Sequence, residues 1–280
     1  GPMDRLWLSD DWGQSWLPFS GGLPEGGIIH AVNLDYAQPD ALYVSAEQGL
    51  FRWTGTAWKK LYDHEVFMAA ITYQRSEQIW AVSRTEGIKR YAQVIHSENS
   101  GRTWSDGNLT GYGNMTLALD PSSSNRRYAL WEYPAGMFDL WRWTEGGWLQ
   151  LAPPKGFKLP DSYYPKMLDA QGWALDGATG DLYIACDDRE ICGYAHQIWR
   201  SRNPAEDNPV NVKWELLSDF GLSYKIRLLA AGPTPQGQGL ALYAAFQEYS
   251  PDYCGPLGAE LPAVSYDGDD WTYLSVPLTD

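Results

Sequence analysis

Short apolar runs alternate along the whole chain with clusters of glycine, proline, aspartate and serine, a pattern that predicts β-strands joined by turns. Spacing typical of helices is hard to find, so we expect almost no helix. The strands fall into groups of four, and the first complete group begins with an inner strand at Ile28–Leu34. The complete groups predicted in this way are Ile28–Leu61, Val66–Ser105, Met115–Leu151, Gly172–Leu217 and Lys225–Val276.

A set of tryptophans marks the same period. They lie at or just after predicted turns, at spacings of 42, 46, 44, 66 and 57 residues. A period near 45 residues with several strands in each predicts an all-β fold, a β-propeller of four-stranded antiparallel blades. The tryptophans are Trp16, Trp58, Trp104, Trp148, Trp214 and Trp271, of which Trp214 marks a degenerate copy.

The turns before these tryptophans share a motif, Ser-x-Asp-x-Gly-x-x-Trp. Its copies are Ser9–Trp16, Ser97–Trp104 and a shortened Ser265–Trp271, while Phe51–Trp58 and Trp141–Trp148 resemble each other. Serine and aspartate side chains bond to nearby backbone amides, and glycine adopts a positive φ at little cost. The motif therefore predicts a tight hairpin corner that returns its tryptophan to the next strand, where the ring packs between blades.

A ligand or metal site at the corner aspartates is the alternative interpretation. It is disfavoured because Asn99 replaces the aspartate in one copy, and because Thr54 and Thr144 begin two others. A shared ligand site would not tolerate that variety. We therefore predict a structural role for the corners.

These corners resemble the Asp-box, or BNR, repeats of sialidase-like β-propellers and of related groups such as the sortilin-type and photosystem II assembly-factor propellers. The resemblance covers nearly the whole chain and implies the propeller fold. It leaves the function open, because that superfamily includes hydrolases, lectin-like binders and assembly factors. Sialidases of the superfamily use three arginines, a Tyr–Glu pair and an aspartate, but here only Arg227 falls on an inner strand, and Tyr224 has no identifiable glutamate partner.

The N-terminal segment Arg5–Phe19 contains only the last two strands of a blade. We predict a single propeller domain over residues 4–280, with five complete blades and a partial N-terminal blade in a six-blade-like arrangement. The alternative is a five-blade ring whose edge the hairpin covers. Gly1-Pro2-Met3 resembles the scar that tag removal leaves.

Composition restricts the partners. The chain has 21 basic and 35 acidic residues, a net charge of −14, which opposes binding to nucleic acid or to anionic membranes. No apolar run approaches the roughly 18 residues that cross a bilayer, so no membrane insertion is expected. Cys254 is expected to lie near Cys192 or Cys186 in neighbouring loops, with one bridge as the prediction and buried thiols as the alternative.

Three long loops are predicted on the propeller face opposite the corners: Ala152–Asp169, Asp187–Ala195 and Gln247–Pro262. Connections in compact domains usually span about 4 to 6 residues, so loops of this length often carry function. Solvated loops with locally packed tyrosines are the alternative. The candidate ligand-binding residues are Tyr163, Tyr164, Asp187, Asp188, Glu190, Tyr194, Glu248, Tyr249, Asp252 and Tyr253.

The mixture of tyrosines and carboxylates suits a sugar or a peptide. We therefore predict a non-catalytic propeller that binds a protein or glycan through its loop-rich face, outside the cytoplasm and without a cofactor. Loop carboxylates also suit Ca²⁺, although no loop shows a regular ligand spacing. The alternative is a glycoside hydrolase acting on extracellular glycans, either sialidase-like or with Glu248 and Asp187 or Asp188 about 5 to 9.5 Å apart.

Overall fold

The computed structural model divides the chain into two compact units, Gly1–Leu119 and Asp120–Asp280. Each unit consists of antiparallel strands. The residues that the structure describes are 6–9, 11, 14–35, 38, 40–72, 75–84, 91–120, 123, 125–132, 138–152, 154, 172–186, 197–221, 224–234, 239–250, 255–268 and 270–274.

The first unit contains a two-stranded ladder, two four-stranded sheets and one further strand. Its strands are β1 (Trp7–Leu8), β2 (Leu17–Pro18), β3 (Ile29–Leu34), β4 (Leu42–Ala46), β5 (Gly49–Trp53), β6 (Trp58–Tyr62), β7 (Val66–Thr72), β8 (Arg75–Arg84), β9 (Tyr91–Ser97), β10 (Ser105–Tyr112) and β11 (Asn114–Leu119). β1 pairs with β2, and the two sheets follow chain order, β3 to β6 and β7 to β10.

The second unit continues the same arrangement. Its strands are β12 (Arg127–Glu132), β13 (Phe138–Thr144), β14 (Gly147–Gln150), β15 (Trp173–Leu175), β16 (Leu182–Cys186), β17 (Gln197–Ser201), β18 (Glu215–Asp219), β19 (Tyr224–Pro233), β20 (Leu240–Ser250), β21 (Gly255–Pro256), β22 (Leu261–Ser265) and β23 (Trp271–Tyr273). β12, β13 and β14 pair in that order, β15 to β18 form a sheet, and the last sheet has the order β19-β20-β22-β23 with β21 on β20.

The predicted all-β fold with four-stranded antiparallel sheets is confirmed. Counted along the chain, β3 to β23 give five four-strand repeats, with β21 as an extra short strand, and β1–β2 give the partial N-terminal one. A short 3-10 helix spans Pro209–Asn211.

Several predicted boundaries differ. The group predicted to end at Ser105 continues through β10 to Tyr112, and the group predicted to end at Leu217 continues to Asp219. β20 continues to Ser250 instead of ending at Phe246, because Tyr249 pairs with Pro256 of β21 and the Leu257 amide donates to the Glu248 carbonyl. The start of the predicted loop Gln247–Pro262 is therefore ordered backbone.

Apolar side chains from neighbouring sheets form the cores. In the first unit, Tyr43 and Leu50 of one sheet are fully buried together with Val66, Ala69 and Ile79 of the next. The alternation of inward and outward residues along each strand produces this burial. In the first unit, the sheet β3–β6 is therefore held to the sheet β7–β10 by side chains from both.

Four corners share one hydrogen-bond pattern. A serine hydroxyl donates to a carboxylate or amide oxygen two residues later, at 2.8 to 3.4 Å. The same oxygen accepts from the amide just before the corner tryptophan, at 2.9 Å in all four. In each corner, one residue supplies the hydroxyl, a second the accepting oxygen and a third the backbone amide. In that order, the residues are Ser9/Asp11/Ser15, Ser97/Asn99/Thr103, Ser201/Asn203/Lys213 and Ser265/Asp267/Asp270. The predicted turn chemistry is present, and it occupies these side chains.

Two of the corner tryptophans also attach to the sheet that precedes them, whereas the indole N–H of Trp271 donates to the Gly268 carbonyl within its own corner. The indole N–H of Trp104 donates to the carbonyl of Leu61 in β6 at 2.9 Å. Trp214 donates in the same way to the carbonyl of Ala152, just after β14, at 2.8 Å. These bonds satisfy a buried polar group while its ring fills space between strands. The hydrogen bonds of Trp104 and Trp214 thus connect their corners to the repeat that precedes each of them.

A second kind of corner, which the sequence analysis did not single out, follows the inner strands. Asp35 accepts from the Gln38 amide at 3.1 Å, and Asp176 accepts from the Thr179 hydroxyl at 2.8 Å. Both aspartates are buried, so their turns are fixed from inside. Burial also raises the pKa of a tyrosine in each following strand to about 12; these are Tyr43 after Asp35 and Tyr183 after Asp176.

The pH dependence of the melting temperature should show how much the Asp11 carboxylate stabilises the first corner. Hydrogen bonds from the Ser15 hydroxyl, the Ser15 amide and Ser9 lower the pKa of Asp11 from 3.8 to about 2. The carboxylate therefore stabilises the folded hairpin fully above pH 3.8, and that stabilisation disappears as the pH falls towards 2. We expect Asp11→Ala to lower the melting temperature at pH 7 and to converge with the wild type near pH 2, measured by thermal unfolding.

The matched control is Asp11→Asn, since Asn99 fills the same position in the second corner. It should retain most of the melting temperature and show no corresponding pH dependence. If Asp11→Ala kept its melting temperature but lost ligand affinity, the structural role of the corner would be wrong.

Candidate functional site

Most predicted site residues lie outside the described residues: Tyr163, Tyr164, Asp187, Asp188, Glu190, Tyr194, Asp252 and Tyr253. Glu248 and Tyr249 lie near the end of β20, and the backbone of Tyr249 pairs with Pro256. Among the cysteines, Cys186 is buried at the end of β16, while Cys192 and Cys254 are outside the described residues, so the bridge stays a prediction.

Glu248 lies at the opening of a cavity of about 240 Å³ in the last sheet. The cavity is lined by side chains from all four main strands and by the segment before β22. Those that shape it are Tyr224, Phe246, Glu248, Ala259, Leu261 and Tyr273.

Strand direction explains why these residues meet. Tyr224 is the first residue of β19 and lies opposite Glu248 of β20 in the backbone register. Leu261 begins β22 opposite Phe246, and Tyr273 ends β23. Because the strands are antiparallel, these positions share one edge of the sheet, which we call the loop edge. The corner between β22 and β23 lies at the other edge. This agrees with the expectation that the loop Gln247–Pro262 and the corners lie on opposite sides.

Phe246 is the fixed floor of the cavity. It is 4% exposed and makes T-shaped ring contacts with Phe220 at 4.9 Å, Trp271 at 5.1 Å and Tyr273 at 6.0 Å. Phe246 keeps its position because neighbouring rings pack against it on several sides. Glu248 is exposed and Tyr273 is 51% exposed, so the cavity has a rigid apolar floor and a polar opening.

The polar side chains of the cavity act on one another. Burial raises the pKa of Tyr273, and the negative charge of Glu248 raises it further. Near the opening, Arg227 pairs with Glu260 at 2.5 Å, so the charge of that carboxylate is compensated. The side-chain amide of Gln247 donates to the Gly258 carbonyl at 2.7 Å, so the segment before β22 is attached to β20. Among the described residues that line the cavity, Glu248 is the one whose side chain carries a charge.

The first unit contains a separate polar cluster that sequence reasoning missed. His30 at the start of β3 lies 3.0 Å from Glu65, and Arg84 at the end of β8 also hydrogen-bonds to Glu65. Burial acts to raise the pKa of Glu65, but the bonds and charges of Arg84 and His30 outweigh it and hold the pKa below its ordinary value. Arg84 also lies 5.2 Å from the ring of Phe67. This cluster connects residues at strand ends, and the carboxylate of Glu65 is paired with His30 and Arg84.

The alternative functions predicted from the sequence need a pair of carboxylates or a set of metal ligands. Asp187 and Asp188, the proposed partners of Glu248, are outside the described residues. Across the described ranges, no group of three histidine, cysteine, aspartate or glutamate side chains is placed to hold a metal ion. The same ranges contain no helix long and apolar enough to cross a membrane.

No family model and no curated protein matches the chain. An ancestral GH74 enzyme has a similar structure, with a TM-score of 0.61 and 16% identity over 89% of this chain and 31% of that one. A Mycobacterium tuberculosis puromycin-hydrolyzing peptidase matches with a TM-score of 0.60 and 13% identity over 97% of this chain and 42% of that one. A putative TolB from Agrobacterium tumefaciens matches with a TM-score of 0.54 and 14% identity over 88% and 80%.

The chain thus spans less than half the length of the GH74 enzyme and of the peptidase. At these identities the likeness shows the fold alone. Together with the four-stranded repeats, it shows that the chain is an all-β protein with the β-propeller fold.

Proposed function

We propose that this protein is a non-catalytic β-propeller that binds a protein or a glycan through its loop edge, outside the cytoplasm. The observation that carries the proposal is the cavity at that edge, which combines a packed aromatic floor with an exposed carboxylate. Binding sites typically join apolar walls to a few placed polar groups. We also propose that the corners are Asp-box repeats, in keeping with their shared serine–aspartate hydrogen bonds.

The two edges of the sheet differ in whether their polar side chains are already hydrogen-bonded within turns, and this difference supports the proposal. Corner side chains are occupied by bonds to their own turns, as Ser265 and Asp267 are. At the loop edge, Tyr273 and Glu248 present polar atoms to solvent. A cavity of about 240 Å³ is smaller than the roughly 300–1,000 Å³ typical of sites that enclose a whole ligand, so it suits one protruding group of a larger partner.

A glycoside hydrolase acting on extracellular glycans is the second candidate. One observation favours it: Tyr224, for which the sequence offered no glutamate partner, lies opposite Glu248 in the register of β19 and β20. A Tyr–Glu pair is part of what the sialidase resemblance implies. Against it, Arg227 is already paired with Glu260. Turnover of a glycan that Glu248→Gln abolishes would favour the hydrolase over the binding module.

Removal of the cavity tyrosines should weaken binding. We expect Tyr224→Ala with Tyr273→Ala to cost about 2 kcal/mol, close to a 30-fold loss of affinity, because aromatic anchors dominate such sites. Glycan arrays and peptide arrays would supply ligands, and titration of a ligand against each variant would give the loss. Tyr249→Ala with Tyr253→Ala tests the adjoining loop in the same way.

The matched control is Tyr266→Ala, which removes a tyrosine that is 53% exposed in the corner between β22 and β23. It should leave affinity unchanged. Undiminished binding by the Tyr224/Tyr273 double variant, with its melting temperature retained, would refute binding at this cavity.

A further inference from the structure

We propose that the cavity at the loop edge takes a lysine side chain of a protein partner, an inference that rests on the proposed binding function. The chemistry recognised is an alkyl chain that ends in an ammonium group. The shape of the cavity, the position of Glu248 and the charge of the whole chain support this proposal.

The apolar part of the cavity suits the stem of lysine. Phe246 forms the floor, and Leu261 and Ala259 line one side. Lysine commonly lays its methylene groups along apolar surface while its charged end stays near water. The stem would gain contact with Phe246, whose position its ring neighbours fix, so little reorganisation is needed on binding.

The polar opening suits an ammonium group. Glu248 is exposed beside the rings of Tyr224 and Tyr273, and an ammonium between them would meet a carboxylate and aromatic faces together. Burial and the nearby charge of Glu248 together raise the pKa of Tyr273. The neighbouring guanidinium of Arg227 is paired with Glu260, which reduces its repulsion of an incoming cation.

The charge of the chain favours a basic partner. A net charge of −14 attracts cationic surfaces over distances near a Debye length, about 8 Å at physiological salt, and repels acidic ones. Complementary charge of this kind raises association rates and selects partners. Lysine-rich proteins fit this condition, whereas neutral glycans gain nothing from it.

A sugar ring fits the lining less well. Its hydroxyl groups point outwards around the whole ring and need hydrogen-bond partners when buried. The lining places side-chain oxygens at Tyr224, Glu248 and Tyr273, whereas Phe246, Ala259 and Leu261 offer apolar side chains. A glycan carrying an amino sugar shares the ammonium group and is therefore an outcome that the experiment must separate.

The test uses a charged lysine probe and a neutral one, in which acetylation removes the charge and adds an acetyl group, and the Glu248→Gln variant separates the effect of charge from that of size. Nα-acetyl-lysine methylamide and its Nε-acetylated counterpart are titrated against the full chain, with saturation-transfer NMR detecting the bound probe. A cation near aromatic faces and a carboxylate gains roughly 0.5–2 kcal/mol, so the charged probe should bind about 2- to 30-fold more tightly. Glu248→Gln, which keeps the side-chain shape, should remove most of that preference.

The matched control for the carboxylate is Glu145→Gln, an exposed glutamate in the turn between β13 and β14, and it should leave both affinities unchanged. Equal binding of the two lysine probes, or no binding of either, would overturn the inference. Tighter binding of glucosamine than of the lysine probe would replace the protein partner with an amino-sugar glycan.

Failure of the inference and failure of the proposed function are distinguishable. If array ligands of any charge lose affinity in the Tyr224/Tyr273 double variant while the lysine probes bind equally, the binding function stands and the preference for lysine is wrong. If the double variant binds every array ligand as the wild type does, the proposed function fails as well.

Discussion

Replacing Gly268 by alanine should lower the free energy of unfolding by about 3 kcal/mol or more, because a side chain at this corner meets both backbone strain and a clash. Gly268 has a φ of +93°, which side chains rarely adopt. An added Cβ would lie 2.5 Å from Cγ of Leu217 in β18, the last strand of the preceding sheet. The Ser218 hydroxyl also donates to the Gly268 carbonyl, so the corner cannot move away without losing that bond.

Gly55→Ala is the matched control. Gly55 has a φ of +90° in another corner, but no atom lies within 4 Å of its added Cβ. This variant should therefore show the backbone strain alone, roughly 1–2 kcal/mol. Chemical denaturation of both variants would separate the strain from the clash.

A second change tests the contact directly. Leu217→Ala removes the atoms that the new Cβ would meet, so the double variant Gly268→Ala with Leu217→Ala should cost less than the sum of the single variants. Equal losses in Gly268→Ala and Gly55→Ala, with additive behaviour in the double variant, would contradict packing of the corner against β18.

The repeats were predictable because turn chemistry is local. Ser265, Asp267 and Gly268 lie within four positions, and their bonds form inside that stretch. The copy at Trp214 escaped the motif because the 3-10 helix Pro209–Asn211 is inserted between Asn203 and Lys213, although the same hydrogen bond forms. Local spacing therefore finds a corner only where no insertion separates its parts.

The candidate site was predictable only in part, since it depends on contacts between distant residues. Glu248 was chosen for its place in a long loop, and the structure instead puts it on β20 opposite Tyr224, 24 residues away in the chain. Phe246 and Tyr273 look like ordinary strand residues in the sequence. Their role at the cavity follows from strand direction and from ring packing, which a single sequence does not show.

The same limit applies to the cluster around Glu65. His30 and Arg84 are separated from it by 35 and 19 positions, so no local motif links the three residues. Their meeting follows from the pairing of β7 with β8 and from the packing of consecutive sheets. Sequence patterns thus predicted the repeats, while cross-strand register and sheet packing determined which polar groups meet.

Trp104→Ala should cost about 3 kcal/mol of unfolding free energy, near the lower end for removal of a large aromatic ring because Trp104 is only half-buried. The ring lies 5.3 Å from Tyr62, and its indole N–H donates to the Leu61 carbonyl at 2.9 Å. Trp104→Phe keeps most of the ring but removes the donor, and should cost about 1 kcal/mol.

Trp16 provides the comparison, because it occupies the same position in the corner Ser9–Trp16 but is 56% exposed. Trp16→Ala should cost less than about 1 kcal/mol, since little apolar area leaves contact with protein. Denaturant unfolding of the three variants would measure the difference. Equal losses in Trp16→Ala and Trp104→Ala would mean that the tryptophan acts within its own turn, and that attachment to the preceding sheet contributes little to stability.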